Sequence, residues 1–353
     1  MTDIFEIDTP AVLIDVDRVE ANLRRAQDYA DQHGLKLRPH IKTHKLPRFA
    51  KRAMDLGAIG ITVQKLGEAE VMADAGISEI FLPYNILGQA KLKRLRALAE
   101  RVHISVTADS VETVEGLSAA FADAPEPLSV FVECDTGMGR CGVQSPQAAL
   151  DLAQRIAAAP GLRFGGLMTY PAAGQVAANA QWLEQAKDLL TQAGLAPPTI
   201  SNGGSPDIWR AHEVQVATEH RPGTYIYMDR FQVAKGVGAL EDCALTVLAT
   251  VVSRPTEHRA IIDAGSKALT SDLLGMTGHG LIEAYPEAVI VGLSEEHGTI
   301  DLSACSKKPK IGEKLRIIPN HACVVSNLFE TVHLIVRDQL VETVPVAARG
   351  RVD

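Results

Sequence analysis

Eight short apolar runs recur along the first two thirds of the chain, at residues 37–42, 58–64, 79–85, 102–108, 128–135, 162–170, 198–204 and 221–227. Between them, stretches such as 19–33, 89–101, 146–159 and 179–193 carry apolar residues at three- and four-residue spacing with charged residues on the other face. That is the period of an amphipathic helix, whereas the short runs suit strands buried on both sides. Strand and helix thus alternate eight times, which predicts an α/β fold built on a closed parallel (β/α)8 or TIM barrel. In such barrels chemistry projects from the C-terminal ends of the strands.

Beyond about Leu240 the pattern changes. Residues 243–253, 259–264, 288–293, 314–318 and 331–336 are β-rich, and no amphipathic helix is read between them. The expected division is a barrel over residues 11–238 and a C-terminal all-β domain over 239–353, joined by residues 1–10. With 353 residues the chain is long enough for both.

A net charge of −8, with Lys and Arg scattered through helical faces, argues against a nucleic-acid surface. The first ten residues, MTDIFEIDTP, show no basic stretch before an apolar core, and no later segment reaches the ~18 apolar residues of a membrane span. Five irregularly spaced cysteines do not form a disulfide framework. A protein of the reducing cytoplasm is expected, with no nucleic-acid or membrane partner.

The first barrel run ends in Arg38-Pro39-His40-Ile41-Lys42-Thr43-His44-Lys45. If the run stays extended, His40 and Lys42 share a face. A lysine projecting into a barrel mouth is costly to desolvate unless paired or covalently bound. It is therefore either a solvated loop lysine or a Schiff-base lysine for an aldehyde cofactor. A phosphate cradle for that cofactor is offered by Ser201-Asn202-Gly203-Gly204-Ser205 after the seventh run and by Gly223-Thr224-Tyr225 in the eighth. One glycine pair alone is more often a turn. Arg140, in the glycine-rich loop after the fifth run, has a guanidinium suited to a phenolate or carboxylate, or to a structural pair with an aspartate. Tyr170 ends the sixth run, near the cofactor ring or within the core.

In the β-rich part, Pro319-Asn320-His321-Ala322-Cys323 places a histidine and a cysteine two residues apart. If extended, both face the same way and reach one metal ion, leaving open positions for water and substrate. Thiolate plus imidazole points to zinc before manganese or magnesium. A bare His-x-Cys is otherwise a coincidence in which the cysteine packs as a small apolar residue. Glu295-Glu296-His297-Gly298 is either a set of supporting groups or an exposed turn.

Taken together these residues resemble the fold-type III pyridoxal-phosphate (PLP) enzymes, in the branch of D-threonine aldolase, 3-hydroxy-D-aspartate aldolase and eukaryotic-type D-serine dehydratase. The ordered motifs run from Asp8-Thr9-Pro10 through Arg38–Lys45, Gln64-Lys65-Leu66-Gly67-Glu68-Ala69-Glu70 and Arg221-Pro222-Gly223-Thr224-Tyr225 to Pro319–Cys323. The resemblance implies that Lys42 forms the Schiff base with PLP. It makes Ser201, Asn202, Gly203, Gly204, Gly223, Thr224 and Tyr225 the phosphate site, with Arg140 near the cofactor oxygen and His40, Gln64 and Tyr170 lining the cofactor. His321 and Cys323 become the metal pair, and the assembly a head-to-tail homodimer.

The motifs mix two reaction types. Gln64-Lys65 and Asn327-Leu328-Phe329 look like the aldolases, whereas Cys323, where aldolases usually carry aspartate, looks like the dehydratases. A histidine carried by both groups after the sixth strand is absent, the chain reading Met168-Thr169-Tyr170-Pro171. The expectation is a PLP- and metal-dependent lyase of small D-3-hydroxy amino acids, cleaving a D-threonine-like substrate to glycine and an aldehyde. The alternatives are dehydration of D-serine or 3-hydroxy-D-aspartate, amino-acid racemisation, and a non-catalytic PLP-binding protein.

Overall fold

The computed structural model describes residues 2–353. The chain forms two compact units, one from the described residues up to Arg24 with Thr43–Lys45 and Thr224–Gly350, the other from Arg25–Lys42, Leu46–Gly223 and Arg351–Asp353.

The second of these is the barrel. Its strands are Lys36–Leu37, Ile61–Thr62, Glu79–Asn85, His103–Ala108, Leu128–Cys134, Leu162–Thr169, Ile200–Asn202 and Glu219–His220, all paired in parallel. The ring closes through a bridge between His40 and Thr62, with Ile59 N–H donating to the Leu37 carbonyl and Thr62 N–H to that of Pro39. Helices follow the strands at Pro47–Leu56, Leu66–Asp74, Gln89–Ala99, Val111–Phe121, Pro146–Ala158 and Val176–Gln192. Their starts are written locally: Ser110 and Ser145 accept from the amides of Thr113 and Ala148, and Pro146 occupies a first-turn position that needs no donor. Inside the ring Phe81, Phe131 and Met168 form a buried cluster, with the two phenyl rings 4.8 Å apart. Gly165 makes room for it, since a Cβ there would lie 2.6 Å from the Phe131 ring.

Two expectations need correction here. The eighth strand is Glu219–His220, ahead of the run at 221–227, because Thr224–Ile226 winds into a 3-10 turn. Likewise Ile41–Thr43 is a 3-10 turn, so the alternation that would put His40 and Lys42 on one strand face does not operate.

In the other unit, Leu245–Thr256 pairs antiparallel with Ala11–Asp15, Arg259–Ile262 and Lys314–Ile318, within a sheet of ten strands among the described residues. Thr331–Val336 runs parallel to Ala11–Asp15 and antiparallel to Gln339–Pro345. The strand Ala11–Asp15 is therefore paired with the C-terminal strands. All five β-rich runs become strands, but the unit is not purely β: Ala322–Leu328 is a helix. His321 is its N-cap and Cys323 lies in its first turn, so the extended geometry expected of that pair is replaced by a helical one. Glu295, Glu296 and His297 form the exposed turn of the hairpin Val289–Leu293 to Gly298–Asp301. Among the described residues no helix is long and apolar enough to cross a membrane.

Gly166 shows how closely the barrel strands approach. Its φ is +130°, and a Cβ would sit 1.9 Å from the Thr199 carbonyl oxygen, which accepts from Leu167 N–H. Gly166→Ala is expected to cost about 3 kcal/mol, from overpacking and backbone strain together. Gly34→Ala, at φ +65° with nothing within 4 Å of the added Cβ, is expected to cost only about 1 kcal/mol. Urea unfolding of both variants measures the difference.

Candidate active site

In the barrel unit, Lys42 is half-buried in the turn that follows the first strand. Its backbone N–H lies 3.3 Å from His40 Nδ1, and His40 Nε2 lies 3.0 Å from Gln64 Oε1. Because Nδ1 accepts, Nε2 carries the proton and donates, which makes His40 a neutral imidazole of fixed orientation. Gln64 is held in turn by Glu68, whose Oε2 accepts from the amides of Gln64 at 2.7 Å and Lys65 at 3.2 Å. A chain of hydrogen bonds thus runs from the helix Leu66–Asp74 to the backbone of Lys42. Lys65 points to Tyr84, its Nζ 3.1 Å from the phenol oxygen.

The glycines after the seventh strand are buried, and each is kept bare for a reason. A Cβ on Gly203, at φ +93°, would meet the His220 ring at 2.1 Å; one on Gly204 would meet Tyr170 at 2.5 Å. Gly204 precedes the 3-10 segment Ser205–Glu213, which has no side-chain cap. Ser205 Oγ accepts from Gly223 N–H at 3.1 Å, tying this loop to the one after the eighth strand. Buried glycine amides, hydroxyls and a helical N-terminus are the donor set a phosphate needs, so the cradle fits PLP.

Not every expected residue faces that cradle. Ser201 Oγ accepts from Arg221 Nε at 2.6 Å and Asn202 Oδ1 from Asn179 Nδ2 at 3.0 Å, so both side chains serve neighbouring protein groups. Arg221 also donates to the Thr169 carbonyl and lies 5.9 Å from the Phe81 ring centroid. Burial lowers its guanidinium to about 10, although Glu219 and Glu133 oppose the shift. Burial raises Glu133, against the pull of Arg140. Next to Arg221, His220 is lowered to about 3 by burial and by the Arg221 charge, and is neutral. Arg140 is exposed, with its guanidinium carbon 5.1 Å from the Tyr170 ring centroid. Tyr170 therefore links the glycine cradle to the arginine loop.

The histidine and cysteine of the other unit are brought together. Cys323 Sγ lies 3.1 Å from Thr43 Oγ1 and 3.4 Å from Thr224 Oγ1. His321 Nδ1 lies 2.7 Å from Asp272 Oδ2. Burial pulls the imidazolium down, but Cys323 and Asp272 outweigh it and lift His321 to about 9. Asp229, a buried carboxylate raised to about 6 by desolvation, accepts from Ala322 N–H at 2.9 Å and from Gln232 N–H at 2.9 Å, fixing this turn. Tyr225 is wholly buried in the turn Thr224–Ile226, and burial raises its phenol.

Among the described residues no group of three or more His, Cys, Asp or Glu side chains gathers as a ready metal cage. Imidazole plus thiol within one helical turn is still a donor set that fits a divalent ion with open coordination positions. Sequence spacing singled out His321 and Cys323 but missed Asp272, Asp229, Ser205 and Arg221. Of these only Ser205 and Arg221 sat inside a recognised motif; the two aspartates lie in segments with no local signature.

Residues 14–231 match the model of the alanine racemase N-terminal domain, and residues 244–335 that of a putative serine dehydratase domain. The chain is 36% identical to a D-threonine aldolase of an Arthrobacter species, covering 98% of this chain and 93% of that protein. It is 32% identical to a D-threo-3-hydroxyaspartate dehydratase of a Delftia species, covering 96% and 97%. The crystal structure of D-threonine aldolase from Filomicrobium marinum superposes with a TM-score of 0.92 at 33% identity, over 99% of this chain and 98% of that one. With both domain models matched in order and relatives aligned end to end, the chain belongs to the fold-type III PLP enzymes, in the branch that holds D-threonine aldolase and the hydroxyaspartate dehydratase.

Proposed function

We propose that this chain is a PLP- and divalent-metal-dependent lyase of small D-3-hydroxy amino acids, with retro-aldol cleavage of a D-threonine-like substrate to glycine and an aldehyde as its main reaction. The observation that carries the metal part is the position of Cys323. Its sulfur faces the hydroxyls of Thr43, the residue after Lys42, and Thr224, the residue after Gly223. The His-x-Cys turn thus meets the chain segments that continue from the Schiff-base lysine and from the cofactor loop. A racemase has no use for such a pair, and a PLP carrier needs neither it nor the second unit.

In this reading Lys42 anchors the cofactor. The amides of Gly203 and Gly204 with the Ser205–Gly223 link would receive its phosphate, Tyr170 and His40 would line the cofactor, and Arg140 would supply a cation for an oxygen of cofactor or substrate. When bound, PLP would supply a sink for the electron pair left at Cα, and zinc, which His321 and Cys323 would hold, would supply a Lewis acid for the 3-hydroxyl. Cleavage breaks the Cα–Cβ bond, moves the hydroxyl proton away and returns one proton to Cα. With no histidine after the sixth strand, this reading assigns the proton transfer at Cα to the Lys42 amine. The reading includes a head-to-tail homodimer in a reducing cytoplasm, which five free thiols support.

Aldolase is favoured over dehydratase by the higher identity to the Arthrobacter aldolase and by the Gln64-Lys65 pair, whose Gln64 holds His40. Asn327 weighs less than its motif suggests, because its Oδ1 accepts from Gly350 N–H, a structural tie. The dehydratase reading rests on Cys323.

Lys42→Ala is expected to abolish activity and the borohydride-trappable lysine adduct together. An adduct that survives would move the anchor to another lysine. Lys45 is a poor substitute, because it is buried and its Nζ lies 3.3 Å from the Ala348 carbonyl. Wild-type protein with zinc should release glycine and acetaldehyde from D-threonine faster than pyruvate from D-serine. Chelation should remove turnover while the cofactor absorbance persists. Faster pyruvate release would make the dehydratase the main activity.

A further inference from the structure

The sequence offers two metal-ligating side chains, and the structure adds a third group beside them. We infer that Asp272 is a positioning residue that prepares His321 for the metal, an inference that rests on the metal reading above. A carboxylate only accepts, so the 2.7 Å contact between Asp272 Oδ2 and His321 Nδ1 puts the proton on Nδ1. Nε2 is then the nitrogen left to take a metal, once it gives up its own proton. A carboxylate behind a ligating imidazole selects the tautomer, fixes the ring and raises its basicity.

The carboxylate is itself held. Asn320, the residue before His321 and almost fully buried, donates from Nδ2 to the Asp272 carbonyl at 3.0 Å and to the Gly278 carbonyl at 2.8 Å. Arg230 Nη1 donates to Asn320 Oδ1 at 3.1 Å and to the Thr277 carbonyl at 2.8 Å. Asp272 N–H lies 3.2 Å from Thr270 Oγ1. The loop enters and leaves this clamp with Thr270 at φ +65° and Leu274 at φ +50°, conformations that side chains seldom adopt without outside support. The Pro-Asn-His-x-Cys motif therefore divides its work. Asn320 pins the loop that carries Asp272, and the next residue receives that loop's carboxylate.

A purely structural ion pair is the rival explanation. Both side chains are partly exposed, at 30% and 39%, and pairs of that kind contribute little to folding. Asp272→Ala should accordingly leave the urea midpoint close to wild type.

The test uses full-length, cofactor-loaded protein stripped of metal. Zinc binding is followed by competition with a chromophoric chelator in wild type, Asp272→Ala, Asp272→Asn and His321→Ala, and ring protonation by ¹⁵N NMR of histidine-labelled protein. Asp272→Ala is expected to weaken zinc about 10- to 100-fold, to lose the Nδ1–H signature at His321, and to keep the cofactor absorbance. Asp272→Asn, which retains an acceptor without charge, should fall between. Equal zinc affinity in wild type and Asp272→Ala, with His321→Ala weakened, overturns the role of Asp272 alone. A loss in Asp272→Ala as complete as in His321→Ala, with the tautomer unchanged, makes Asp272 a direct ligand and overturns the positioning role. Zinc affinity indifferent to His321→Ala overturns the metal reading and this inference with it.

Discussion

Closure of the parallel sheet between His40 and Thr62 is the constraint from which the cofactor unit is organised. An open ring would leave the Leu37 and Pro39 carbonyls and the Ile59 and Thr62 amides without these partners, and buried peptide groups without partners are expensive. The backbone meets that demand with one bridge and two flanking hydrogen bonds. Lys42 comes two residues later, where the chain leaves the ring. Its position thus follows from where the ring closes, and the His40–Gln64–Glu68 chain of hydrogen bonds holds it there. In the role proposed for it, Lys42 would benefit from that rigid backbone, because its own side chain has four rotatable bonds.

The other unit solves a comparable problem with a buried carboxylate. Asp229 is desolvated, which raises it to about 6, and it is retained because it satisfies amides at the starts of two helical segments. The turn carrying His321 and Cys323 is thereby fixed from below by Asp229 and from the side by Asn320. Asp229 binds backbone amides and Asn320 binds backbone carbonyls and the Arg230 guanidinium, and together they hold the backbone around His321 and Cys323. Substituting either would disturb the site without touching substrate.

Reaction type within this branch turns on what meets the 3-hydroxyl, since the aldolase and the dehydratase differ in which bond at Cβ breaks. The barrel side chains near Lys42 and the glycine cradle serve either outcome equally. Under the proposed metal reading, the difference would arise from the metal, its ligands and the group that manages the proton at Cα. Cysteine in place of aspartate makes a softer site, and the absent histidine after the sixth strand leaves fewer groups to share the proton work. In the proposed reading, aldolase-like motifs stand beside a His-x-Cys pair of the dehydratase pattern.

Alternation of strand and helix was legible in the sequence because it is local. The apolar period of residues 128–135 or 146–159 records burial at each position, and the strands Leu128–Cys134 and Lys314–Ile318 and the helix Pro146–Ala158 follow it closely. Lys42 and the His321–Cys323 pair stand out in the sequence as candidates, being unusual residue types in ordered motifs. Local pattern and structure part at residues 41–42 and 224–226, which belong to apolar runs that suit strands, and at the His321–Cys323 pair, whose spacing suits an extended chain; each is wound. Local pattern also could not pair His321 with Asp272, 49 positions away, or Cys323 with Thr43, 280 positions away. The sequence by itself determined the barrel, the second unit and the residue types of the chemistry. Only the tertiary structure decided which hydroxyls face the thiol and which carboxylate backs the imidazole, because those contacts are set by sheet pairing and loop clamping between segments that share no local pattern.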